Sequence, residues 1–394
     1  MKYPPLIDEI QANDWVYVGE GNQNLVVRYK GSLSAFARKV MRVVKSNSKA
    51  KHIDEQTLLI QKSFVDTIVG PLLGQEYITS MQPVSTSELF LTRLAANVRD
   101  DRPSKRLKTE IATSAPVAFI MADLTQIWPE SPTLTFELKP KWGFKPSSSD
   151  TVTKIKTMYC RYCMHSHLRQ IKLNGYCPLD LYSQNPPSLH KALDVLLKKT
   201  PIEKTLKVSI NGKHISLVNR DPDAEYKSLL NINGQEPLIS PILNAILLQD
   251  PILLKLKTLQ ADLDELDVQN ILPLYSKLDN VQTDIDSLAK AVDSYKKRKS
   301  MNTNTLITDV QRVLEYVLSM TFKDCSILIN VVPAKDEAQG DKFVALDNGL
   351  IFNYDVKVID TDLKSLDKIP YWHELDRTIV AYAIETSFSK DRAC

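Results

Sequence analysis

The sequence predicts an α+β fold, in which an N-terminal antiparallel sheet with helices precedes a larger α/β region that contains a helical insertion. Three observations support this prediction. Apolar residues alternate between turn signals at residues 15–43, they recur at helical spacing at residues 250–295, and strand-like apolar runs return after residue 325. Of the 394 residues, 43% are hydrophobic and 25% are charged, which excludes global disorder and a coiled-coil rod.

The sequence pattern of the first half of the chain predicts the strands of the N-terminal sheet and the helices and loop between them. Residues 15–19, 25–29 and 37–43 are strand-like, and residues 53–70 have helical periodicity. A polar, basic loop is expected at 99–116, strands at 117–121 and 134–138, and a helix at 153–173. These boundaries predict a first lobe at residues 1–121, a hinge at 122–126 and a second lobe at 127–394, with the insertion at about 216–300.

The second half predicts helices followed by strands. Apolar residues at 252–266 are spaced as in a helix, Pro273 interrupts the run, and the pattern resumes at 278–292. A helical hairpin is therefore expected rather than a long coiled coil. Strands are expected at residues 325–332, 348–354 and 356–360, and a last helix at 370–388.

Charge and cysteine content exclude several classes of protein. The net charge of +3 excludes a wholly basic surface, but it allows one concentrated basic pocket. No apolar run reaches the roughly 18–20 residues that span a bilayer, and the N-terminus lacks a signal-peptide core. Five cysteines, an odd number, indicate reduced intracellular thiols. We expect a soluble monomer of the nucleus or cytoplasm, without direct nucleic-acid or membrane binding.

A glycine-containing hairpin is the first candidate for chemistry. Gly19 and Gly21, followed by Asn24, lie between two predicted strands, where backbone N–H groups can approach nucleotide phosphates. An ordinary hairpin turn explains the same pattern. Lys39 and Arg42 on the third strand face opposite sides, so one of them is a candidate phosphate ligand. A solvated strand face is the alternative.

Two lysines flank a proline in the segment Glu137-Leu-Lys-Pro-Lys141. Pro140 stiffens the backbone, and an extended conformation puts Lys139 and Lys141 on one side of the strand end. Two ammonium groups held in this way suit a polyanionic ligand. An exposed basic turn is the alternative interpretation.

Aspartates at strand ends are candidates for metal binding and proton transfer. Asp324 precedes an apolar strand and Asp360 follows one, and Asp362, Lys364 and Lys368 come directly afterwards. One carboxylate can accept or orient a hydroxyl proton while another holds Mg²⁺. Single aspartates at such positions are also common turn residues.

Cys160, Cys163, His165 and His167 form the tightest cluster of metal-ligating residue types. If all four lie on one helix, their spacing does not bring them to one tetrahedral centre, and no second CxxC pair completes a set. We interpret them as helix core and cleft lining, and expect no zinc.

Taken in order, these segments resemble the inositol pentakisphosphate 2-kinases. The resemblance spans nearly the whole chain, and its divergent loops resemble fungal members. It rests on the motifs Gly19-Glu-Gly-Asn-Gln-Asn-Leu-Val26, Leu73-Gly-Gln-Glu-Tyr-Ile78, Glu137-Leu-Lys-Pro-Lys-Trp-Gly-Phe144, Arg161-Tyr-Cys-Met-His165, Pro178-Leu-Asp-Leu-Tyr-Ser183, Lys323-Asp-Cys-Ser-Ile-Leu-Ile329 and Asp360-x-Asp-Leu-Lys364.

The resemblance implies a bilobal kinase-like fold and transfer of phosphate from ATP, with Mg²⁺, to the 2-hydroxyl of inositol pentakisphosphate, which gives the hexakisphosphate, phytate. An inositide kinase of different position specificity, or a non-catalytic phytate-binding scaffold, are the alternatives. Plant members hold a zinc ion in the C-terminal lobe, and no cysteine lies between Cys177 and Cys325 here, which supports the expectation of no zinc. Residues 204–212 replace a segment in which plant members carry two substrate-binding asparagines.

The resemblance also implies residue roles. Asp324 and Lys139 are catalytic, and Asp360 with Asp362 holds Mg²⁺. The nucleotide contacts are Gly19, Glu20, Gly21, Asn22, Asn24, Arg42, Asp123, Glu137 and Asp360. The substrate contacts are Lys139, Lys141, Arg169, Lys364, Lys368, Trp372 and a loop arginine, Arg106 or else Arg102.

Overall fold

A computed structural model of the chain describes residues 12–46, 54–128, 131–147, 150–198, 205–215, 239–278, 281, 283–301, 307–334, 342–389 and 394. Antiparallel sheets combine with helices, so the α+β prediction is confirmed. Contacts along the chain define two compact units, Met1–Asp66 with Thr79–Pro129 (unit 1), and Thr67–Ile78 with Glu130–Cys394 (unit 2). The lobe and hinge boundaries stay predictions, and residues 216–238 of the expected insertion lie outside the described residues.

Unit 1 contains one antiparallel sheet in the order β1-β2-β3-β6-β4, with β5 paired to β3. Helix α1, Glu55–Phe64, runs into a π-helical turn, Val65–Val69, and α3 is Glu88–Val98. The loop expected at 99–116 contains the short strand β5 and a 3₁₀ turn. The strands are β1 Trp15–Glu20, β2 Asn24–Tyr29, β3 Lys39–Ser46, β4 Gln82–Ser85, β5 Glu110–Ile111 and β6 Val117–Ala122.

The alternation in the first strands produces the core of unit 1. Leu25, Val27 and Met41 are fully buried on one face of the sheet, and Trp15 packs edge-to-face on Tyr29 with ring centroids 5.1 Å apart. Because side chains of a strand point to alternate faces, the intervening residues of β2 and β3 are left less buried. Arg42 is one of these, opposite Val26 on β2 and Phe119 on β6.

Unit 2 contains a second antiparallel sheet in the order β11-β12-β10-β7-β8-β9. Strand β10 is central and almost entirely buried, which explains its continuous apolar sequence. The strands expected at 348–354 and 356–360 form one strand, because Asp355 continues the pairing with Asn330. The strands are β7 Leu134–Leu138, β8 Leu206–Ile210, β9 Lys213–Ile215, β10 Ser326–Pro333, β11 Phe343–Ala345 and β12 Ile351–Ile359.

Helices surround this sheet, and two helix predictions need correction. The single helix expected at 153–173 is wrong, because Tyr159 and Cys160 have extended backbone and Cys160 begins a new helix. The helix expected at 252–266 ends earlier, at Asp262. Pro273, which was expected to interrupt the helical pattern, lies inside the following helix. The helices are α2 Gly70–Leu73, α4 Lys154–Met158, α5 Arg161–Leu168, α6 Pro178–Leu181, α7 Pro186–Lys198, α8 Ile239–Gln249, α9 Ile252–Asp262, α10 Asp267–Tyr275, α11 Ile285–Met301, α12 Asp309–Asp324 and α13 Ile369–Glu385.

The apolar helices of unit 2 are shorter than a membrane span. Among the described residues, no single helix is long and apolar enough to cross a membrane. Only α8 and α9 taken together reach that length and composition, and a bend of 57° separates them.

Candidate active site

Three strand ends meet at one edge of the unit 2 sheet. Leu138 at the end of β7 pairs with Ile327 of β10, and Ser326 pairs with Ile359 at the end of β12. Antiparallel pairing therefore brings the residues after β7, before β10 and after β12 to the same place. These are Lys139, Asp324 and Asp360, which the sequence predicted as parts of one site.

Lys139 forms the centre of this cluster. Its Nζ lies 2.9 Å from Ser326 Oγ and 3.2 Å from Asp360 Oδ2, and Ser326 Oγ also donates to Asp360 Oδ2 at 3.2 Å. Burial acts to lower the pKa of Lys139, but the nearby carboxylates of Asp360 and Glu137 outweigh it and the pKa is raised. Lys139 is therefore a fixed cation that stays charged at neutral pH.

Asp324 and Asp360 supply two accessible carboxylates. Asp324 Oδ2 accepts a hydrogen bond from Lys364 Nζ at 2.7 Å, and its side chain is 69% exposed, against 54% for Asp360. Asp360 adopts a left-handed backbone with φ 60°, a conformation that aspartate tolerates better than most residues. Within the described part of the chain, Oδ1 of each carboxylate has no hydrogen-bond partner. Free carboxylate oxygens are the hard donors that Mg²⁺ prefers, so Asp360 fits the ion that the resemblance implies.

Lys141 follows Lys139 but departs from the extended strand. Its φ is 63°, so the condition for placing both lysines on one side of a strand does not hold. Burial lowers the pKa of Lys141, and the charge of Lys139 lowers it further. A left-handed lysine costs about 1–3 kcal/mol, and such strain is concentrated at functional sites. The charge of Asp324 acts on this pKa in the opposite direction but offsets only part of the lowering.

Buried contacts hold the segment after Lys141 in place. Lys323 Nζ lies 4.3 Å from the centre of the Trp142 ring, and the Arg161 guanidinium lies 4.7 Å from it. The same Lys323 pairs with Asp264 Oδ2 at 2.5 Å. Burial raises the pKa of Asp264 to about 6 and lowers the pKa of Lys323. This packing links Trp142 to the helix end that carries Asp324.

Gly143 is required by close packing. A Cβ at this position would lie 2.6 Å from Cγ of the Tyr182 ring, which is almost fully buried. No side chain fits in this space without displacing the ring.

Gln260 on α9 joins the backbone segments that carry the candidate residues. Its Oε1 accepts from the Gly143 N–H at 2.7 Å, and its Nε2 donates to the carbonyls of Lys141 at 3.0 Å and Phe322 at 2.9 Å. Nε2 also contacts the Tyr182 hydroxyl at 3.2 Å. Gln260 is fully buried, and the sequence offered no signal for this role beyond a polar residue on an apolar helix face.

A second group of cations surrounds His165 on α5. Burial lowers the pKa of His165 to about 4, and the charges of Arg161, Arg169 and Lys141 contribute to the shift. His165 Nε2 is buried without a hydrogen-bond partner among the described residues. The predicted Arg169 is exposed at the end of α5. Arg161 and His165 belong to the quoted motif, but sequence reasoning did not select them as site residues.

The remaining predicted site residues of unit 2 differ in their burial and in their contacts. Lys368 is exposed immediately before α13, whereas Trp372 is buried and packs edge-to-face on Tyr316 at 6.0 Å. Thr321 Oγ1 donates to the main-chain oxygen of Asp362 at 3.2 Å. Glu137 accepts from Lys207 Nζ at 2.8 and 3.0 Å across β7 and β8. Their assigned roles stay predictions.

The glycine-containing hairpin of unit 1 joins β1 and β2 as expected. A Cβ at Gly19 or Gly21 would meet nothing within 4 Å, so the space beside both glycines is open. Glu20 is buried in ion pairs with Lys45 at 2.5 Å and Arg102 at 2.9 Å. Burial acts to raise the pKa of Glu20, but the hydrogen bonds from Arg102 and Lys45 outweigh it and the pKa is lowered.

The two loop arginines differ in their contacts. Arg102 is buried and binds Glu20, Glu110 and two main-chain oxygens, so its guanidinium is fully engaged. Arg106 is more accessible and donates to Asn22 Oδ1 at 2.6 Å. Of the two, Arg106 is the more accessible and the one that contacts the hairpin, and its role in ligand binding stays a prediction.

Arg42 and Asp123, the other two predicted nucleotide contacts in unit 1, form different kinds of contact. The Arg42 guanidinium lies 2.6 Å from the Asn24 side-chain amide, a distance that fits an oxygen acceptor. Asp123 forms a buried ion pair with Arg28 and caps the following turn through Thr125 N at 3.1 Å. The carboxylate of Asp123 thus supports the strand end, and its nucleotide contact stays a prediction.

The argument against a zinc site assumed that the cysteines lie on one helix, and that assumption is wrong. Cys160 precedes α5, and Cys177 and Cys394 join it and Cys163 from elsewhere in the chain. All four sulfur atoms lie within 4.8 Å of one another. His165 and His167 are not part of this group, because His167 Nε2 contacts Thr386 Oγ1 at 2.9 Å and the Nε2 atom of His165 is unpartnered as described above.

Comparison with known proteins gives a consistent result. The family model for inositol-pentakisphosphate 2-kinase matches residues 17–378. A zebrafish (Danio rerio) inositol-pentakisphosphate 2-kinase is 25% identical over 97% of this chain and 95% of its own length. Proteins of the same name from Arabidopsis thaliana and Cryptococcus neoformans are 27% and 29% identical, each over 96% of this chain and over 94% and 95% of their own lengths.

Proposed function

The chain belongs to the inositol-pentakisphosphate 2-kinase family, and from this premise we propose that it transfers the γ-phosphoryl group of ATP to the 2-hydroxyl of inositol 1,3,4,5,6-pentakisphosphate. The product is inositol hexakisphosphate. The cluster of Lys139, Asp324 and Asp360 at one sheet edge is the observation that carries this proposal. It combines a fixed cation with two accessible carboxylates, which are the groups that phosphoryl transfer uses.

The charge of the substrate matches the second group of cations. A pentakisphosphate carries about −8 to −10 charges, at roughly −1.5 to −2 for each phosphate. Lys141, Arg161 and Arg169 lie around His165, whose pKa is lowered mainly by burial and further by the charges of these three cations. Phosphate oxygens would neutralise these cations and add negative charge beside Lys141, whose lowered pKa Asp324 only partly offsets. Lys364 and Lys368 extend the basic surface beyond Asp324.

Proton transfer is assigned to Asp324. Its carboxylate accepts the proton of the 2-hydroxyl as the oxygen attacks, and Lys364 at 2.7 Å holds the carboxylate in one orientation. Lys139 stabilises the negative charge that spreads over the transferring group. Asp360, with Asp362 close by in sequence, would hold Mg²⁺, which when bound neutralises charge on the nucleotide phosphates.

Nucleotide binding is assigned to the hairpin of unit 1. The open space beside Gly19 and Gly21 would admit phosphate oxygens close to the backbone of the turn. Arg42 and Arg106 supply charge on either side of this turn. The kinase-like bilobal arrangement that the family resemblance implies belongs to the same proposal.

Substrate selectivity would follow from the number of phosphates that are bound together. Each buried cation left without its phosphate costs about 1–3 kcal/mol. Inositol tris- or tetrakisphosphates would therefore have a much lower kcat/KM than the pentakisphosphate. Equal kcat/KM values for the two classes would contradict this account of the site.

The test is ADP release by the wild-type protein and by Asp324→Asn, with Mg-ATP and the pentakisphosphate. We expect kcat to fall by about 10²–10⁴-fold in Asp324→Asn because the proton acceptor is lost. Asp286→Asn, at an exposed position in the first turn of α11, is the matched control and should keep wild-type activity. A phosphorylated product at another hydroxyl would favour a different position specificity, and tight binding without turnover would favour a scaffold.

A further inference from the structure

A buried network of ion pairs lies beside the second group of cations. Lys156 Nζ contacts Asp267 Oδ1 at 2.5 Å and Asp376 Oδ2 at 2.6 Å, and the side chains of these three residues are at most 8% exposed. They belong to three different helices of unit 2, which are α4, α10 and α13. The reaction proposed above assigns no role to any of them.

Asp376 connects this network to Arg161, the first residue of α5. Its second oxygen, Oδ1, accepts from Arg161 Nε at 3.4 Å, and the Arg161 guanidinium also lies 4.7 Å from the centre of the Trp142 ring. Helix α13 packs against α4, α5 and α10, which brings these side chains together. Arg161 is therefore held by a carboxylate at Nε and by an aromatic ring.

The contact through Nε is important because of the geometry of a guanidinium. Its five N–H donors are divided between Nε and two terminal nitrogens, and these donors form a planar fork that can bind two phosphate oxygens at once. Among the described residues, neither terminal nitrogen of Arg161 has a hydrogen-bond partner. A carboxylate at Nε thus orients the guanidinium without occupying its terminal donors.

Arg161 completes the charge balance of the network. Burial acts to lower the pKa of Lys156, but the charges of Asp376 and Asp267 outweigh it and the pKa is raised. Lys156 therefore stays protonated at neutral pH and balances one of the two carboxylates, while Arg161 balances the other. Because a buried charge is costly unless it is paired, Asp376 holds Arg161 in this position.

We propose that Asp376 is a positioning residue for the substrate, which orients Arg161 so that its terminal nitrogens bind one phosphate of the inositol polyphosphate. Arg161 touches the phosphate, whereas Asp376 acts only through Arg161. The identity of the ligand rests on the function proposed above. Asp267 shares Lys156 with Asp376, but among the described residues it has no hydrogen bond or ion pair with Arg161, so it supports the fold alone.

Asp376→Asn removes the acceptor of Arg161 with almost no change in side-chain size. Asparagine has one oxygen, and Lys156 would take it because its contact with Asp376 is the shorter one. The amide NH₂ would then face the Nε–H of Arg161, donor against donor. We expect KM for the pentakisphosphate, and Kd from calorimetry, to rise about 10-fold because the guanidinium is no longer oriented. KM for ATP should stay close to the wild-type value.

Asp267→Asn is the matched control. It neutralises the other carboxylate of the same lysine, so it should lower the urea midpoint to a similar extent. Its oxygen can still accept from Lys156 Nζ and from the Gln269 N–H, as Asp267 Oδ1 does at 2.5 and 3.0 Å. Asparagine also tolerates the backbone φ of 63° at this position. KM for the pentakisphosphate should therefore stay close to the wild-type value.

The two variants separate a failure of this role from a failure of the proposed function. A normal KM for the pentakisphosphate in folded Asp376→Asn, or an equal rise in both variants, would overturn the role of Asp376 while the reaction stands. If neither wild type nor Asp267→Asn binds the pentakisphosphate, the proposed function fails, and the role of Asp376 in substrate binding fails with it.

Nitrogen-15 NMR of the wild-type protein tests the same contact if Asp376→Asn does not fold. The Nε–H signal of Arg161, identified by its absence in Arg161→Lys, should exchange slowly with solvent because Asp376 accepts this proton. Added inositol hexakisphosphate should slow the exchange of the terminal N–H protons of the same residue. Fast exchange at Nε in the free protein, or terminal signals that do not change on saturation, would overturn the proposal.

Discussion

Substitution of Gln260 by methionine tests whether a buried amide holds the candidate active site together. Methionine is close to glutamine in volume, so the change removes hydrogen bonds without leaving a large cavity. It leaves the Gly143 N–H without its partner at 2.7 Å, whereas the Lys141 carbonyl retains the Tyr182 hydroxyl at 3.2 Å and the Phe322 carbonyl retains the Cys325 thiol.

The cost can be worked out from these contacts. A buried donor left unsatisfied costs about 1–3 kcal/mol, and each of the other lost hydrogen bonds contributes about 0.5–1.5 kcal/mol. We therefore expect the free energy of unfolding to fall by about 3–5 kcal/mol. Urea denaturation should show a lower midpoint with an unchanged slope.

A matched substitution separates this effect from a general loss of glutamine. Gln249 is exposed, and its amide contacts the Phe343 main-chain oxygen at 2.9 Å and the Tyr354 side chain, so Gln249→Met should cost less than about 0.5 kcal/mol. In folded Gln260→Met, kcat should fall as well, because the backbone of Lys141 loses its anchor. A loss of stability below about 1 kcal/mol, with normal kcat, would refute the role given to Gln260.

Three further predictions concern the same unit. Lys139→Ala should lower kcat about 10²–10³-fold and weaken pentakisphosphate binding, measured by steady-state kinetics and calorimetry, because charge on the transferring group loses its stabiliser. Gly143→Ala should lower the free energy of unfolding by about 1–3 kcal/mol in urea denaturation, since its Cβ overlaps the buried Tyr182 ring. The ring protons of His165, followed by NMR, should titrate at about 4 in the free protein and at a higher pH once a polyphosphate is bound.

The sign of the His165 effect also predicts a pH dependence of stability. Its pKa is lower in the folded protein than the ordinary 6.5, so the unfolded chain binds more protons between about pH 4 and 6.5. Stability is therefore lost as pH falls through this window, and His165→Gln should reduce that loss. A wild-type His165 that titrates near 6.5 would contradict both its burial and the effect of the neighbouring cations.

The predictions for Lys139→Ala and Gly143→Ala can each be contradicted by a single result. A Lys139→Ala variant that changes only ATP affinity would mean that Lys139 does not meet the inositide. Unchanged stability in Gly143→Ala would mean that the Tyr182 ring can move aside at little cost.

The local features of the fold could be predicted from sequence because short-range patterns determine them. The strand at 134–138 was predicted at its observed bounds, and alternation predicted β1 and β2. The single helix expected at 153–173 was wrong, because the Cys160 side chain caps a new helix within a continuous periodic pattern. Strand β12 was predicted as two strands, 348–354 and 356–360, because Asp355 is a weak strand former. Its pairing with β10 keeps Asp355 in the strand.

Long-range contacts limited the prediction of the site. Lys139, Asp324 and Asp360 were found because each lies at a strand end, and antiparallel pairing brought those ends together. The partners Ser326 and Gln260 carry no sequence signal, since their roles depend on distant backbone groups. The cysteine cluster was missed for the same reason: 17 residues separate Cys160 from Cys177, and Cys394 comes from beyond the last helix.

The central claim is that the Lys139, Asp324 and Asp360 cluster transfers phosphate to the 2-hydroxyl. Phosphorus NMR of the product formed from Mg-ATP and the pentakisphosphate, with wild-type protein beside Asp324→Asn, tests it most directly. The account predicts the symmetric spectrum of the hexakisphosphate from wild type and almost none from the variant. Equal hexakisphosphate formation by both proteins would remove Asp324 from the mechanism, and a phosphate at any other position would contradict the proposed reaction.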